Sequence, residues 1–251
     1  MDGTARVEGT AAGADSSGGP GVTASILWIG AMVAMQFVGI LLVAMGRSLL
    51  EGRPFDPNGL DAVTTLAGLG IGTCMLLFVR SRYLVRELLP PGRTWLPAGR
   101  NILMTLVVLA VCGAFTALYE AIAIDDGVMQ PENQIFINAM ASGMAATIMT
   151  FIVGAIIVPI VEELLFRGQL QGAILNRIRE TDATRHYMAI GITAAVFAAI
   201  HLQALAALPL FVTGFAFGWL RWKTGSLMLP IAGHMVLNAF GLSMILMTGQ
   251  A

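Results

Sequence analysis

The chain has 251 residues, of which 57% are apolar and only 12% are charged, and its formal net charge is −1. Its mean hydropathy is strongly positive, at +0.79, and this composition is typical of a membrane protein. The sequence contains no basic stripe for nucleic acid, no glycine-rich phosphate loop and no cysteine-based metal motif. We therefore expect membrane lipids, and no nucleic acid, among its partners.

The first 21 residues are predicted to form a disordered cytoplasmic tail, because they are small, polar and glycine-rich and lack apolar periodicity. The apolar run that follows is long enough for a whole span, and further spans come after it. We therefore expect a retained anchor rather than a cleaved secretory signal.

Apolar runs of span length follow along the chain. A hydrocarbon core of about 30 Å requires roughly 20 helical residues, and four runs near that length occupy residues 22–45, 60–79, 101–123 and 135–160. The run 187–220 is too long for one helix and contains Pro209, so it predicts two helices that meet near residues 203–209. The last run covers residues 227–247.

The predicted fold is an all-α, polytopic integral membrane bundle of seven or eight helices with an intramembrane polar site. The count depends on the amphipathic segment VEELLFRGQLQGAILNRI, residues 161–178, which either extends the fourth span or lies on the membrane surface. Helices are expected because lipid offers the backbone no hydrogen bonds. We divide the bundle into N-terminal transmembrane helices, residues 22–134, and a core, residues 135–248.

Basic residues predict the orientation. Of the fourteen, these eleven lie on one side of the predicted spans: Arg80, Arg82, Arg86, Arg93, Arg100, Arg167, Arg177, Arg179, Arg185, Arg221 and Lys223. By the positive-inside rule that side is cytoplasmic. We therefore expect a plasma-membrane protein with its tail and its glutamate pair on the cytoplasmic side and its C-terminus outside. Cys74 and Cys112 lie in predicted spans and are interpreted as small buried apolar residues.

Three polar clusters interrupt the apolar core region. The first contains Glu162, Glu163 and Arg167, the second is FAAIH at residues 197–201, and the third is HMVLN at residues 234–238. Ionisable side chains in a span are costly and suggest a functional site. Each cluster also has a structural interpretation, as an ion pair at the membrane edge or as interhelical hydrogen bonding.

Helical spacing assigns different tasks to the two glutamates. Glu163 and Arg167 are four residues apart and can pair, whereas Glu162 points about 100° away and stays free. A carboxylate balanced between desolvation and a nearby cation can accept a proton from water, so Glu162 is the candidate base. His201 would hold the same water, while His234 and Asn238 would donate hydrogen bonds to the oxyanion. This chemistry is amide hydrolysis without a covalent intermediate.

The EExxxR, FxxxH and HxxxN motifs, in this order, resemble those of the CAAX prenyl protease and bacteriocin-processing family over about residues 135–245. The resemblance implies a multi-helix intramembrane protease in which Glu162 and His201 activate water. It also implies that His234 and Asn238 stabilise the oxyanion, with Glu163 and Arg167 in support. The implied substrate is a membrane-associated or lipid-modified protein or peptide, and prenyl processing, peptide maturation and bacteriocin self-protection are all compatible with it.

Two other functions stay open. The first is a zinc-dependent version of the protease, since two histidines and a glutamate can bind zinc. We favour a mechanism without a cofactor, because there is no HExxH motif and Arg167 would oppose a cation. The second is a non-catalytic membrane scaffold or bacteriocin-immunity protein. A small transporter is less favoured, because the paired halves with broken helices are missing.

Overall fold

The computed structural model describes residues 21–56, 60–80, 99–123, 131–179 and 182–248. These residues form eight helices and no strand: α1 (Val22–Glu51), α2 (Ala62–Val79), α3 (Gly99–Ala123), α4 (Pro131–Ala141), α5 (Met144–Leu175), α6 (Ala183–Ile200), α7 (Ala207–Thr224) and α8 (Met228–Thr248). The predicted all-α membrane fold is confirmed. The predicted disordered tail and the basic residues Arg82, Arg86 and Arg93 lie outside the described residues.

Six of these helices are long and apolar enough to cross a membrane, namely α1, α2, α3, α5, α6 and α8. Seven spans were predicted, and the difference is α7, whose last turn carries Arg221 and Lys223. The described part of the chain is therefore a multi-pass membrane bundle in which α7 is the one predicted span outside the six.

The predicted fourth span, residues 135–160, is wrong as a single helix. The chain breaks after α4 at Gly143, whose φ of +120° is open to glycine but strained for other residues. With 11 residues, α4 is too short to cross a bilayer. The next helix, α5, has 32 residues and contains most of the amphipathic segment. Of the two alternatives, extension of the span is therefore right and a separate surface helix is wrong.

Two π-helical segments interrupt α5, at Ile152–Ile157 and Leu164–Leu170. The short α-helical stretch between them, Val158–Glu163, contains Pro159 and both glutamates. Proline removes a backbone donor from a helix, and π-segments often occur beside such disruptions and at functional sites. The glutamate pair therefore lies on an irregular helix.

Helices α6 and α7 form a hairpin connected by residues 201–206, close to the predicted turn. Pro209 lies in the first turn of α7 rather than in the connection, at a position where a missing N–H costs little. Leu202, in the connection, adopts a left-handed backbone conformation with φ of 55° and is 91% exposed.

Close backbone contact joins α1 to α2. A Cβ atom added to Gly72 would lie 2.0 Å from the backbone oxygen of Met35, and one added to Gly39 would lie 2.1 Å from the backbone oxygen of Gly68. The side-chain amide of Gln36 donates to the Thr73 hydroxyl over 3.2 Å beside this contact. Glycine is required here because membrane helices associate through close packing and hydrogen bonds.

We predict that Gly72→Ala separates α1 from α2 and lowers the free energy of unfolding by about 1–3 kcal/mol, the usual cost of overpacking. Thermal unfolding in detergent, followed by size-exclusion chromatography, measures the effect. Gly30→Ala on α1 is the matched control, because nothing lies within 4 Å of a Cβ there. Equal melting temperatures for the two variants would contradict the close contact.

Candidate active site

The three polar motifs meet in the structure. Glu162, Glu163 and Arg167 lie on α5, His201 directly follows α6, and His234 lies in the second turn of α8. All but His201 are buried. The sequence could place each motif on a helix, but the tertiary fold brings their side chains into contact.

The innermost contact is centred on one oxygen atom of Glu163. Its Oε1 accepts hydrogen bonds from Arg167 Nη1 and from His234 Nδ1, each over 2.9 Å. Arg167 Nη2 donates to the backbone oxygen of Gly214 on α7, over 3.0 Å. The predicted Glu163–Arg167 pair is therefore present, and it links α5 to α7 and α8. The orientation prediction counts Arg167 among the basic residues on the cytoplasmic side of the spans, but α5 continues through it and buries it.

Three phenylalanines surround the Arg167 guanidinium. Its Cζ lies 4.7 Å from the ring centre of Phe197, 5.9 Å from that of Phe217 and 6.0 Å from that of Phe166. Aromatic faces attract a cation and exclude water from it. The arginine is thus held among Glu163, a backbone carbonyl and aromatic rings, and it faces away from bulk solvent.

Glu162 has a different environment. Its Oε1 lies 3.7 Å from His201 Nε2, and its Oε2 lies 3.8 Å from His234 Nε2. Both distances are too long for direct hydrogen bonds, and a water molecule can bridge groups that are slightly farther apart than a direct bond allows. Glu162 therefore faces two imidazoles without being bonded to either of them.

The hydrogen bond at Nδ1 of each histidine determines whether Nε2, the nitrogen that faces Glu162, can donate or accept. His201 Nδ1 lies 2.7 Å from the Phe197 backbone oxygen, which can only accept, so Nδ1 carries a proton. His234 Nδ1 likewise donates to Glu163 Oε1, which also accepts a hydrogen bond from Arg167. In the neutral form of each ring, Nε2 is then an acceptor. The Glu162 carboxylate and the two Nε2 atoms are then all hydrogen-bond acceptors. A water molecule or an added proton between them would supply the missing hydrogen.

Exposure indicates the open side of this cluster. The side chain of His201 is 21% exposed, whereas those of Glu162 and His234 are 9% and 7% exposed. The site is therefore most accessible beside the connection between α6 and α7.

Asn238 forms its side-chain hydrogen bond with a residue outside the group of six predicted site residues. Its side-chain amide donates to the backbone oxygen of Gly154 on α5, over 2.9 Å. Its predicted part in binding an oxyanion stays a prediction. Sequence reasoning also missed the backbone oxygens of Phe197, Gly214 and Gly154. The phenylalanine of FxxxH was the one signal for the first of them.

Among the residues that the structure describes, no group of three or more His, Cys, Asp or Glu side chains is arranged to hold a metal ion. The preference for a mechanism without metal stays a prediction, and a chelator experiment tests it below.

A protein-family comparison matches the part of the chain that contains this site. Residues 144–240 match the family described as Rce1-like, type II CAAX prenyl endopeptidase Rce1-like. The resemblance inferred from the three motifs is confirmed, because the model of this family matches the part of the chain that carries them. The match starts at the first residue of α5 and contains all six predicted site residues.

A curated relative covers most of the chain. The Bacillus subtilis (strain 168) protein named "Putative membrane peptidase YdiL" is 25% identical over 218 residues, which is 83% of this chain and 83% of the relative. No solved structure matches the chain.

We predict that Arg167→Leu lowers the free energy of unfolding by about 3–5 kcal/mol, because it leaves the Glu163 charge buried without its main partner. Thermal unfolding in detergent measures this loss. Arg47→Leu is the control: Arg47 also pairs with a glutamate four residues away, Glu51, but its side chain is 46% exposed. We expect little change there. The prediction fails if Arg167→Leu and Arg47→Leu have the same melting temperature.

Proposed function

We propose that the protein is an intramembrane endopeptidase of the glutamate type, which hydrolyses a peptide bond in a membrane-associated or lipid-modified protein or peptide. The observation that carries the proposal is the position of the Glu162 carboxylate, which has an imidazole Nε2 atom 3.7 Å away on one side and 3.8 Å away on the other. The match to a family of CAAX prenyl endopeptidases and the name of the Bacillus subtilis relative support the same class of reaction.

The nucleophile in this mechanism is a water between Glu162 and His201. The water donates one hydrogen to the carboxylate and one to His201 Nε2, which leaves an oxygen lone pair for the substrate carbonyl. As the carbon–oxygen bond forms, Glu162 takes one proton from the water and later gives it to the leaving nitrogen when the carbon–nitrogen bond breaks. The hydroxyl stays on the new carboxyl group, so the step balances without a covalent enzyme intermediate.

His234 has the position of an oxyanion partner. It lies between the two carboxylates, with Nδ1 2.9 Å from Glu163 Oε1 and Nε2 3.8 Å from Glu162 Oε2. A protonated His234 would direct an Nε2–H toward the space in which the substrate oxygen becomes negative. Glu163 and Arg167 would then support the reaction by fixing the orientation of this ring.

The apolar surroundings of the site support a lipid-embedded substrate. A cavity of about 640 Å³ lies between α1, α2 and α5, and its lining includes Met35, Cys74, Phe78, Met149 and Ile157. None of the six site residues lines it. An apolar cavity of this size suits an acyl or isoprenoid chain or an apolar helix face, so a lipid-anchored substrate could be held beside α5 while its peptide reaches Glu162.

The membrane context is part of the proposal. Eight basic residues follow α2 or α5 in the sequence, on the side that the first residues of the chain would share, and they support an N-terminus in the cytoplasm. We propose the plasma membrane as the location. The peptide bond would then be cut near the cytoplasmic side.

We predict that Glu162→Gln reduces kcat/KM by about 10²–10⁴-fold, because the amide cannot accept the proton of the attacking water. His201→Ala should cause a large loss as well. The measurement is cleavage of a quenched fluorescent, lipid-anchored peptide in proteoliposomes, with the melting temperature as the control for folding. If both variants fold and cleave like the parent, the protein is not a protease of this type, and the non-catalytic scaffold or immunity protein becomes the better hypothesis.

A chelator separates the two versions of the protease. The zinc alternative would use Glu162, His201 and His234 as ligands, although the structure does not arrange these three side chains to hold a metal ion. We predict that 1,10-phenanthroline leaves the cleavage rate unchanged, with a zinc protease assayed in parallel as the positive control. Activity that is lost with chelator and restored by added zinc would replace the metal-free mechanism.

A further inference from the structure

The backbone oxygen of Gly154, on α5, has lost its partners within the helix. In an α-helix it would accept from the N–H of Val158, but that N–H donates instead to Val153, five residues back. In the π-helical pattern it would accept from residue 159, which is proline and has no N–H. Neither pattern supplies Gly154 with a backbone hydrogen bond.

Asn238 supplies the missing donor from another helix. Its Nδ2 atom lies 2.9 Å from the Gly154 oxygen. An unpaired carbonyl inside a membrane protein is costly, so this bond compensates for the bulge that Pro159 and the π-segment create. Asn238 follows His234 by about one turn of α8. A single helix therefore carries both the ring that faces Glu162 and the amide that pairs with the bulge before Glu162.

We propose that Asn238 is a positioning residue, which acts on the reaction through α5. By pairing with Gly154 it fixes the backbone of the irregular turn, and it thereby fixes the position of Glu162 along α5 relative to His234 and His201. This inference rests on the proposed peptidase function. It differs from the prediction for Asn238 made from the motifs, because one of the two amide hydrogens is donated to the backbone of α5.

The two roles have different consequences for catalysis. An oxyanion donor contacts the substrate, so its loss removes transition-state stabilisation whatever the state of α5, usually by about 10²–10³-fold. A positioning residue can be replaced by any group that pairs with the same carbonyl. Pro159→Ala provides such a group, because it gives residue 159 a backbone N–H five residues after Gly154.

The experiment compares four full-length proteins in proteoliposomes: the parent, Asn238→Ala, Pro159→Ala, and the double variant. We expect Asn238→Ala to lower kcat by about 10–100-fold with little change in KM, since a misplacement of about 1 Å can have such an effect. Pro159→Ala should stay within about threefold of the parent, and the double variant should recover to within about threefold of Pro159→Ala. The rescue is the decisive result, because removing an oxyanion donor would be equally harmful in both backgrounds.

Three results would overturn the positioning role. The first is the same loss of kcat from Asn238→Ala with and without Pro159→Ala. The second is an inactive Pro159→Ala protein, because this variant keeps Asn238 and adds an N–H that can pair with the same Gly154 oxygen. The third is full activity of Asn238→Ala alone. If the alanine variants are too unstable to assay, Asn238→Ser replaces Asn238→Ala in both backgrounds, because it leaves a smaller cavity. The results that support or overturn the positioning role are the same.

Melting temperatures of the four proteins separate this inference from the proposed function. If Glu162→Gln shows that the protein is not a peptidase of this type, the comparison of melting temperatures still tests the role of Asn238. We expect Asn238→Ala to lower the melting temperature in the parent and to have a smaller effect after Pro159→Ala. Equal decreases would show that the amide and the proline-linked carbonyl are independent.

Discussion

One carboxylate oxygen connects the parts of this site. Glu163 Oε1 receives hydrogen bonds from Arg167 and from His234 at the same time, and Arg167 reaches on to the backbone of Gly214. A buried charge in a membrane bundle is tolerated only if it is paired and hydrogen-bonded. The requirement to pair Glu163 therefore holds α5, α7 and α8 at one relative position, and it sets which nitrogen of His234 carries a proton.

Two adjacent glutamates consequently have opposite surroundings. Glu163 is fully buried and accepts from two donors, so it is suited to be a fixed charge. Glu162 is turned about 100° away along the helix and faces two imidazole Nε2 atoms that have no hydrogen to offer when neutral. This arrangement leaves room for a bridging water, as the proposed mechanism requires. Glu163 differs because its Oε1 already accepts from Arg167 and His234.

Irregular helix geometry contributes to this arrangement. The α-helical stretch that bears both glutamates lies between two π-helical segments of α5, and Pro159 removes a further backbone donor. Each disruption leaves polar backbone atoms that must be satisfied without water. The side chain of Asn238 meets one of these needs at Gly154. The geometry of α5 is thus determined partly by proline and partly by a neighbouring helix.

The sequence by itself determined the class of fold, because long apolar runs in a lipid environment can only be helices, and it determined the pairing of Glu163 with Arg167, because residues four apart share a helix face. Three motifs also indicated the resemblance to the family whose model matches residues 144–240. Tertiary structure decided the break at Gly143, the burial of Arg167, and the turn of Asn238 toward Gly154. These depend on backbone angles and on contacts between helices far apart in sequence, which local periodicity does not encode. The path of α5 through its π-segments decided which groups meet Glu162, since each extra residue in a turn rotates all the side chains that follow it.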